Sequence, residues 1–535
     1  MTGSVAEAVG ATLAALGAEH VFGVVGSGNF HVTNALVKHG VKFVACRHEG
    51  GAATAADAYA RISGRPGIVT VHQGPGLTNA MTGITEAAKS RTPMLVLAAE
   101  ATAPRSNFRI DQGALAHAVG ASSVRVHEAA DVARAWHLAV SERRTVLVNL
   151  PLDIQAMPAG EMVTPSFPPV PRSVSESSIV ELNAVLDQAE RPVFIAGRGA
   201  LGARAELSAL AERCGALLAT SAAAKGLFTG DPWNLDVSGG FATPLAASLI
   251  RAADVVVAWG ASLNMWTTRH GGLVDRSATV VQVDLDPSAF GAHHRVDLSI
   301  AGDVAETAAA VTVAEKQGYR SDPVRLELST SGRWRDVAYE DEGDGSHIDA
   351  RTATIAVDDI LPSERVVAVD SGNFMGYPSM FLSVPDHRGF SFTQAFQSIG
   401  LGLASAIGAA FAMPDRLPVA ACGDGGFLMG ISELDTVRRL GLGMLILVYN
   451  DDAYGAEVHH FGPGGHPLST VVFPSTDIAA IARGHGCAAA TVRRREDLAS
   501  VEQWVAGPRD VPMVVDLKVA GQRPSWWLEE AFRGH

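Results

Sequence analysis

Short apolar runs alternate along the chain with alanine-rich segments that have helical spacing. The clearest runs lie at 145–150, 192–197, 255–260, 366–369, 417–422 and 444–449. Apolar runs of this length, bounded by glycine, proline or polar residues, are typical of strands that are buried on both faces and paired in parallel. We therefore predict an α/β fold whose sheets are mainly parallel and flanked by helices.

Two stretches of different composition divide this pattern into three parts. The first contains a cluster of prolines between 158 and 171, and the second, from about 317 to 347, is polar and rich in charge and glycine. Both compositions are typical of linkers. We predict three domains over residues 1–160, 175–325 and 345–535, because 535 residues suffice for several cores. A tail with Trp526 and Trp527 is predicted either as a lid over a site or as surface packing.

The composition narrows the classes of partner and compartment. The formal net charge is −14 and no basic block occurs, so we expect neither nucleic acid nor an anionic membrane as a partner. No uncharged apolar run approaches the ~20 residues of a membrane span, and residues 1–7 lack the pattern of a signal peptide. The four cysteines lack CxxC spacing and are expected to be buried thiols. We therefore expect a cytoplasmic protein.

Two acidic residues each follow an apolar run. Asp424 lies in the sequence Gly423-Asp424-Gly425-Gly426, after the run 417–422, and Asp451 follows the run 444–449. Parallel strands joined by a crossover helix bring their carboxyl ends together, where ligands of open α/β sheets bind. Two carboxylates beside glycine-exposed amides suit a dication that holds a diphosphate. Asp-Gly alone is more often a turn, so the prediction depends on the full pattern, with 27 positions between Asp424 and Asp451.

This pattern, from Gly423-Asp424-Gly425 to Asn450-Asp451, resembles the GDG…NN signature of thiamine diphosphate-dependent enzymes. The resemblance implies that Asp424, Asp451 and the backbone carbonyl of Ala453 bind Mg²⁺ or Ca²⁺. Asp451 stands where the family usually has Asn, and its extra charge should attract a dication more strongly but repel the diphosphate. The other residues that the signature implies for the cofactor are Gly423, Gly425, Gly426, Tyr454 and Gly455.

Motifs in the first domain indicate one branch of that family. Val21-Phe22-Gly23, then Arg47-His48-Glu49 with an alanine-rich run, then Gln73-Gly74-Pro75-Gly76 occur in order. They resemble the pyrimidine-binding domain of the acetolactate synthase and benzoylformate decarboxylase branch. The resemblance covers essentially the whole chain. It implies a pyrimidine-binding domain, a central Rossmann-like domain and a diphosphate-binding domain over the three predicted ranges.

Glu49 has the most specific role that the resemblance implies. On its own it would be a capping acid at the start of a helix of small residues. In the family the matching glutamate shares a proton with the aminopyrimidine ring of the cofactor, which promotes formation of the reactive carbanion. The family builds each site from two chains. The resemblance therefore implies a homodimer or homotetramer in which Glu49 serves the cofactor of a partner subunit.

The resemblance also implies how the cofactor is held in a bent conformation. Ile399 takes the position of the apolar side chain over which the cofactor folds, although by itself it would be ordinary core. The backbone carbonyl of Gln397 takes the position that accepts from the amine of the cofactor, where many relatives have glycine. Gly372 and Asn373 match positions that contact the diphosphate.

Four residues match positions that face the substrate in members of the family. His72 aligns with a catalytic histidine of the benzoylformate decarboxylase group, with a structural donor as the alternative, and Ser27 aligns with a serine that contacts the substrate carboxylate. Gln112 resembles a substrate-facing glutamine, with a loop hydrogen bond as the alternative. Glu457 matches a glutamate of pyruvate and indolepyruvate decarboxylases, with a first-turn helix acid as the alternative. Two neighbours of Glu457 are candidates for the same cavity: His459 and His460.

The first functional hypothesis is decarboxylation of a 2-oxo acid on thiamine diphosphate. The aldehyde is then released, as by a benzoylformate or phenylpyruvate decarboxylase, or the remaining group is transferred to a second carbonyl. Residues 425–434 look more like acetolactate synthase, whereas His72 and Glu457 look more like the decarboxylases. We take carboligation as the first choice and leave decarboxylation open.

Two other hypotheses rank lower. A lyase acting on 2-hydroxyacyl-CoA or acyloin substrates would need a basic pocket, and the arginines of the middle segment form no cluster in the sequence: Arg198, Arg204, Arg269 and Arg295. A nucleotide-binding protein without thiamine chemistry is the third. The glycine pattern at 197–202 is only partial, which favours a strand-to-helix turn over an FAD site.

Overall fold

Three six-stranded parallel sheets follow one another along the chain. The structure is a computed structural model that describes residues 3–159, 173–521 and 524–531. Every pairing between neighbouring strands within these sheets is parallel, and helices flank each sheet. The prediction of a three-domain α/β fold with mainly parallel sheets is therefore confirmed.

The N-terminal sheet has the strand order β2-β1-β3-β4-β6-β5, with the bounds given at the end of this paragraph. Its third and sixth strands are buried at every position, which is why their sequences are almost continuously apolar. The elements are β1 (His20–Gly23), β2 (Lys42–Ala45), β3 (Gly67–Val71), β4 (Met94–Glu100), β5 (Ser122–Arg125) and β6 (Thr145–Pro151), with α1 (Val5–Ala15), α2 (Phe30–Lys38), α3 (Glu49–Ser63), α4 (Pro75–Lys89), α5 (Gln112–Ala118), α6 (Ala129–Ser141) and α7 (Leu152–Gln155).

The central sheet has the order β12-β11-β10-β7-β8-β9, so the chain starts in the middle and the strand order reverses between β7 and β10. This is the arrangement of a doubly wound nucleotide-binding sheet. The elements are α8 (Glu176–Gln188), β7 (Pro192–Ala196), α9 (Arg204–Cys214), β8 (Leu217–Thr220), β9 (Asn234–Val237), α10 (Pro244–Arg251), β10 (Val255–Trp259), α11 (Met265–Thr268), β11 (Thr279–Asp284), β12 (Leu298–Ala301), α12 (Val304–Ala310) and α13 (Asp322–Ser331).

The C-terminal sheet has the order β14-β13-β15-β16-β18-β17, which repeats the order of the N-terminal sheet strand for strand. Its switch point lies between β13 and β15, where ligands of such sheets collect. The elements are α14 (Ala350–Ile360), β13 (Arg365–Val369), α15 (Gly376–Phe381), β14 (Phe390–Phe392), α16 (Gly402–Ala412), β15 (Leu417–Gly423), α17 (Asp424–Met429), α18 (Glu433–Arg439), β16 (Leu445–Asn450), α19 (Gly455–Phe461), α20 (Ile478–Gly484), β17 (Ala488–Val492), α21 (Ala499–Ala506), β18 (Met513–Lys518) and α22 (Trp526–Ala531).

Helices α3 and α16 join the N-terminal and C-terminal domains of the chain. Both are built mainly of alanine and glycine, and both are buried along most of their length. A Cβ atom on Gly408 of α16 would lie 2.0 Å from the carbonyl oxygen of Ala55 in α3. The two backbones therefore meet at a distance that only small residues permit.

The structure describes the two stretches predicted as linkers to different extents. Most of the first, residues 160–172, lies outside the described residues. The second contains a helix, α13, which is buried only at Leu328. Tyr319, just before α13, donates a hydrogen bond to the carbonyl of Leu249 at 3.0 Å and so fastens this stretch to the central domain. The residue ranges predicted for the three domains remain predictions.

The C-terminal tail is packed into the protein. Trp527 is fully buried and stands edge-on to Tyr377, with 5.0 Å between the ring centroids. The Trp526 indole donates to the carbonyl of Gly240 at 3.0 Å. This packing ties the tail to the central domain. Because Leu528, the next residue, lines the cavity described below, the choice between a lid and surface packing stays a prediction.

Two predictions from composition can be compared with the structure. Cys46, Cys214, Cys422 and Cys487 are all buried and free of disulfide bonds, as predicted. Within the described ranges, no helix has both the length and the apolar character that crossing a membrane requires.

Adding a methyl group at the α3–α16 crossing should destabilise the protein. We expect Gly408→Ala to lower the free energy of unfolding by about 1–3 kcal/mol, because the new Cβ would overlap the Ala55 carbonyl. Urea denaturation followed by circular dichroism measures this. The matched control is Gly484→Ala in α20, where a Cβ meets no atom within 4 Å and alanine is the better helix former. Equal stability of the two variants would contradict the proposed close packing.

Candidate active site

A cavity of about 490 Å³ lies at the carboxyl ends of β13, β15 and β16. It occupies the switch point of the C-terminal sheet, where the topology itself leaves a crevice. The structure brings together here the site residues that the sequence predicted in the C-terminal domain, except His459 and His460. Those lining residues are Gly372, Asn373, Gln397, Ile399, Gly423, Asp424, Gly425, Gly426, Asp451, Ala453, Tyr454, Gly455 and Glu457.

Asp424 and Asp451 dominate the electrostatics of this cavity. Burial, and then the charge of Asp451, raise the pKa of Asp424 to about 7. Burial likewise raises the pKa of Asp451 to about 6. Two buried carboxylates with raised pKa values form a site that a positive charge would stabilise.

The turn after β16 separates Asp451 from the acid that follows it. Asn450 is anchored by its amide, which donates to Asp516 at 2.8 Å, and its side-chain oxygen accepts from the backbone N–H of Asp452 at 3.1 Å. Asp452 adopts a left-handed conformation and faces Lys518 at 3.5 Å. Asp451 is thereby left to line the cavity.

Glycines bring the backbone close to the functional side chains. A Cβ on Gly425 would lie 2.6 Å from the ring of Tyr454, and a Cβ on Gly455 would lie 2.4 Å from an Asp451 oxygen and 3.1 Å from the amide nitrogen of Asn373. The side-chain oxygen of Asn373 is buried and makes no hydrogen bond in the structure. A polar ligand that donates to Asn373 would therefore fit this cradle.

A dication with a diphosphate fits the cavity better than a metal held by protein alone. In the described part of the chain, no group of three or more His, Cys, Asp or Glu side chains is placed to hold a metal. Mg²⁺ takes six oxygen ligands and is usually held by one or two carboxylates together with phosphate oxygens and water. Asp424, Asp451 and the carbonyl of Ala453 suit that pattern, and their assignment as metal ligands remains a prediction.

Asp370 supports the cavity and was missed in the sequence. It follows β13 and is fully buried, and it accepts backbone N–H groups from Gly400 at 3.0 Å and Leu401 at 3.1 Å. These bonds hold the turn that carries Ile399. Gln397, at the start of that turn, is left-handed with φ of 61°, a conformation that is uncommon for any residue except glycine. The position of Asp370 at the end of an apolar run was the available signal.

Glu49 and His72 form a second group, on the N-terminal domain. Glu49 is the first residue of α3, and its carboxylate accepts from the amide of Asn79 at 3.1 Å. A Cβ on Gly76 would lie 3.1 Å from the Cβ of His72 and 3.3 Å from a carboxylate oxygen of Glu49. Because Gly76 has no side chain, the predicted catalytic side chains of Glu49 and His72 can both lie close to its Cα atom.

His72 is oriented by its neighbours. Its Nδ1 accepts the backbone N–H of Gly28 at 3.2 Å, and its ring stands edge-on to Phe108 with 5.3 Å between centroids. Ser27, next to Gly28, is exposed. The loop after β1 and the residue after β3 therefore meet at the switch point of the N-terminal sheet.

Gln112 lies apart from this group. It is buried, and its amide donates to the side-chain oxygen of Asn149 at 2.8 Å. That contact favours the alternative of a structural hydrogen bond over contact with a substrate. His459 and His460 lie on α19 with Glu457, but only Glu457 lines the cavity.

The N-terminal group does not line the cavity of its own chain. Glu49, His72, Ser27 and Gln112 are all absent from the lining of the 490 Å³ cavity. The structure of the single chain therefore presents two incomplete groups, one acidic and glycine-rich, the other containing Glu49 and His72.

A second cavity, of about 970 Å³, lies between the three domains at the switch point of the central sheet. Its basic lining includes Arg61, Lys89, Arg91 and Arg198. Burial, and then the charges of Arg61 and Arg143, lower the pKa of the Arg198 guanidinium to about 9. The fold thus gathers basic residues that are scattered in the sequence, which corrects the expectation that Arg198 belongs to no basic cluster. Arg204, Arg269 and Arg295 do not line this cavity.

Comparison with known protein families gives a match in each domain. The model of the N-terminal TPP-binding domain of thiamine pyrophosphate enzymes matches residues 3–123, and the model of their central domain matches residues 179–311. The model of their C-terminal TPP-binding domain matches residues 370–517. The two groups described above lie within the first and third of these ranges.

Similar proteins cover almost the whole chain. A probable 2-ketoarginine decarboxylase of Pseudomonas aeruginosa is 31% identical over 515 residues, which span 92% of this chain and 89% of that protein. A sulfoacetaldehyde acetyltransferase of Rhodobacter capsulatus is 28% identical, covering 82% of this chain and 81% of that protein. An acetolactate synthase large subunit of Escherichia coli is 28% identical, covering 83% of this chain and 82% of that protein. The names of these three similar proteins describe different types of reaction.

The two adjacent carboxylates should make stability depend on pH. The raised pKa of Asp424 means that its ionised form is disfavoured in the folded state, so stability should fall as pH rises from about 4 to about 7. We expect metal-free Asp424→Asn to be more stable than the unchanged protein by on the order of 2 kcal/mol at pH 8 and equal to it near pH 4. Thermal unfolding across this pH range measures the difference.

Asp358→Asn is the matched control for that measurement. Asp358 has a 7% exposed side chain and pairs with Arg365 at 2.8 Å, so its loss should lower stability at pH 8. A destabilising effect of Asp424→Asn, or equal effects of the two variants, would contradict the electrostatic picture of the cavity.

Proposed function

Because the chain belongs to the family of thiamine pyrophosphate enzymes, we propose that it decarboxylates a 2-oxo acid and then releases the aldehyde or transfers the remaining group to a second carbonyl. The observation that carries this proposal is the cavity at the C-terminal switch point, where Asp424 and Asp451 meet. A decarboxylase and an acetolactate synthase among the relatives support both outcomes of the reaction.

The residues of the cavity have the chemistry to hold the cofactor. Asp424, Asp451 and the Ala453 carbonyl would hold Mg²⁺. The side-chain N–H₂ of Asn373 and the backbone near Gly425 would donate to the diphosphate. Ile399 would support the bend of the cofactor, since Asp370 holds the turn that carries it. When bound, thiamine diphosphate supplies the carbon nucleophile and the electron sink for loss of the carboxylate.

A homodimer or homotetramer would complete the site. Glu49 does not line the cavity of its own chain, so it is available to a cofactor held by a partner subunit. Apolar side chains at both groups are exposed: Phe108 beside His72 is 43% exposed, and Met429 of the cavity is 57% exposed. A subunit interface that covers Phe108 and Met429 would remove this surface from water.

The chain's own residues would then orient the substrate and move protons. Ser27 is exposed beside the Glu49–His72 group, and its hydroxyl would donate a hydrogen bond to the substrate carboxylate. His72, fixed through Nδ1 by Gly28, would present Nε2 for proton transfer. Glu457 lines the cavity and would protonate the product-forming carbon when an aldehyde is released.

Product analysis tests this function and separates its outcomes. The protein is incubated with Mg²⁺, thiamine diphosphate and a panel that includes pyruvate, benzoylformate, phenylpyruvate and a guanidino 2-oxo acid. One aldehyde for each CO₂ indicates a decarboxylase, whereas a ligated product indicates a carboligase. Turnover of none of a broad series of 2-oxo acids would contradict the proposal.

A second candidate is a lyase for 2-hydroxyacyl-CoA, and one observation favours it. Lys89 and Arg198 on the lining of the 970 Å³ cavity would suit the phosphates of CoA, whereas Arg61 and Arg91 on the same lining are paired with Glu86 and Asp286. Incubation with a panel of 2-hydroxyacyl-CoA thioesters tests this candidate, and the products to be measured are the aldehyde and formyl-CoA. No observation supports FAD in this cavity.

Glu49→Gln should abolish most activity without loss of folding. We expect hydrogen–deuterium exchange at the thiazolium carbon of the bound cofactor to slow by about 10²–10⁴-fold, since a proton-transfer group is removed. NMR of the quenched cofactor measures the exchange. Glu142→Gln, an exposed residue that pairs only with Arg144 in this structure, is the control.

Mixing two inactive variants tests whether Glu49 serves a partner. Glu49→Gln and Asp424→Ala chains are co-expressed with different tags and the mixed dimer is purified. If Glu49 acts across subunits, one site of the mixed dimer retains both residues and activity returns to about half of the unchanged enzyme. If Glu49 acts on its own chain, both sites stay inactive.

A further inference from the structure

Glu86 reaches across the domain interface to the backbone of the cofactor cavity. It lies in α4 of the N-terminal domain and is completely buried. One carboxylate oxygen accepts the N–H of Ala395 at 3.1 Å, and the other accepts the N–H of Phe396 at 2.6 Å. Both amides belong to the C-terminal domain. The next residue, Gln397, lines the cavity.

Arg61 keeps the Glu86 carboxylate charged at this interface. Its guanidinium lies 2.7 Å from Glu86 and 2.7 Å from Asp57, and it also donates to the carbonyl of Phe392 at 3.0 Å. Burial by itself would raise the pKa of Glu86, but Arg61 and the two amides outweigh burial and lower the pKa. An ionised carboxylate can accept an N–H group on each of its two oxygens, as Glu86 does, whereas an amide side chain has only one oxygen.

Glu433 makes the same contact in the opposite direction. It begins α18 in the C-terminal domain and is 2% exposed. Its carboxylate accepts the N–H groups of Arg47 at 3.1 Å and His48 at 2.9 Å, both in the N-terminal domain, and the hydroxyl of Thr436 at 2.6 Å. The next residue after His48 is Glu49.

Gly51 shows how closely Glu433 approaches the start of α3. A Cβ at Gly51 would lie 2.5 Å from the carboxylate oxygen of Glu433. A glycine is therefore required there for the glutamate to reach the two amides. The contact is thus built from a side chain in one domain and a matching gap in the other.

The two segments held in this way belong to the two groups of the candidate site. Glu86 fixes the residues just ahead of Gln397 and Ile399, and Asp370 fixes the residues just after them. Glu433 fixes the residues just ahead of Glu49. Each glutamate thus fastens a segment that lies outside regular strands and whose continuation carries a predicted site residue.

We propose that Glu86 and Glu433 are a reciprocal pair of positioning residues: Glu86 sets the cofactor-facing turn at 395–401, and Glu433 sets the position of Glu49. This inference rests on the proposed function, because it assigns the two turns to cofactor binding and to proton transfer. Buried carboxylates carry a high desolvation cost, which the backbone amides offset at both glutamates and which Arg61 offsets further at Glu86.

The first test measures the anchoring itself, in the cofactor-free protein. Glu86→Gln and Glu433→Gln are compared by amide hydrogen exchange with mass spectrometry. At Glu86 each oxygen accepts one backbone amide, so Gln presents an N–H₂ to one of them. At Glu433 the oxygen that accepts the His48 N–H also accepts that of Arg47, so Gln weakens both bonds by removing the charge of the acceptor. In both variants the affected amides should open more readily. We expect Glu86→Gln to speed exchange only around 393–401 and Glu433→Gln only around 45–50. Uniform change across the chain, or none, would overturn the proposal.

The second test measures the consequence for the site. Binding of thiamine diphosphate with Mg²⁺ is followed by tryptophan fluorescence, since Trp266 lines the cavity, and proton exchange at the thiazolium carbon is followed by NMR. We expect Glu86→Gln to raise the cofactor Kd about tenfold, and Glu433→Gln to leave Kd within about twofold while slowing exchange about tenfold. Identical effects of the two variants on Kd and on exchange would overturn the division of roles.

Controls separate this inference from the proposed function. Glu100→Gln breaks an ion pair with Arg125 inside one domain and should change neither readout. If a Gln variant does not fold, Glu86→Asp and Glu433→Asp keep the charge while drawing it back from the amides, and the same split is expected. Failure of the unchanged protein to bind the cofactor would overturn the function and this pair together. Normal binding with unaffected variants would overturn the pair alone.

Discussion

The repulsion between Asp424 and Asp451 is the interaction on which the candidate site depends. Parallel strands β15 and β16 place the two carboxylates at adjacent strand ends, and burial keeps water from screening them. Among the residues that the structure describes, Lys518 faces Asp452 rather than Asp451 and so does not compensate this charge. A cation would stabilise a site with this charge, and the oxygen-lined, glycine-rich cradle suits a dication that brings its own phosphate ligands.

The repeated topology explains why the functional residues fall into two groups. The N-terminal and C-terminal sheets have the same strand order, and each places its functional loops at the same switch point. One copy of this crevice carries carboxylates, and the other carries Glu49 and His72. Neither crevice brings the Asp424–Asp451 pair and the Glu49–His72 pair together. Two copies of the chain that face each other would supply both, which is the physical reason for the proposed interface.

The sequence predicted the residues whose position follows from local sequence pattern. It did not predict the residues whose role depends on contacts with distant parts of the chain. The strand ends at Asp424 and Asp451 follow from apolar runs and parallel pairing, so the sequence was sufficient for them. Whether Gln112 faces a substrate or makes a structural hydrogen bond depends on its contact with Asn149 in β6. Secondary-structure propensity does not predict how close these two residues lie. Helix α13 was read as linker because it has almost no buried face. Glu86 looks like an ordinary helix acid, and its partners lie 309 and 310 positions later.

Helix α3 explains how one domain interface holds both groups in place. Its first residue is Glu49, Gly51 admits Glu433, Ala55 meets Gly408 of α16, and Arg61 reaches Phe392 and Glu86. Fifteen residues of α-helix span about 22 Å, so the contacts of Glu433 and Arg61 are at opposite ends of one rigid rod. A hydrogen bond tolerates a displacement of only a few tenths of an ångström before it weakens. The close contact at Gly408 therefore holds both anchors in register, because a shift of α16 against α3 would stretch the bonds at each end.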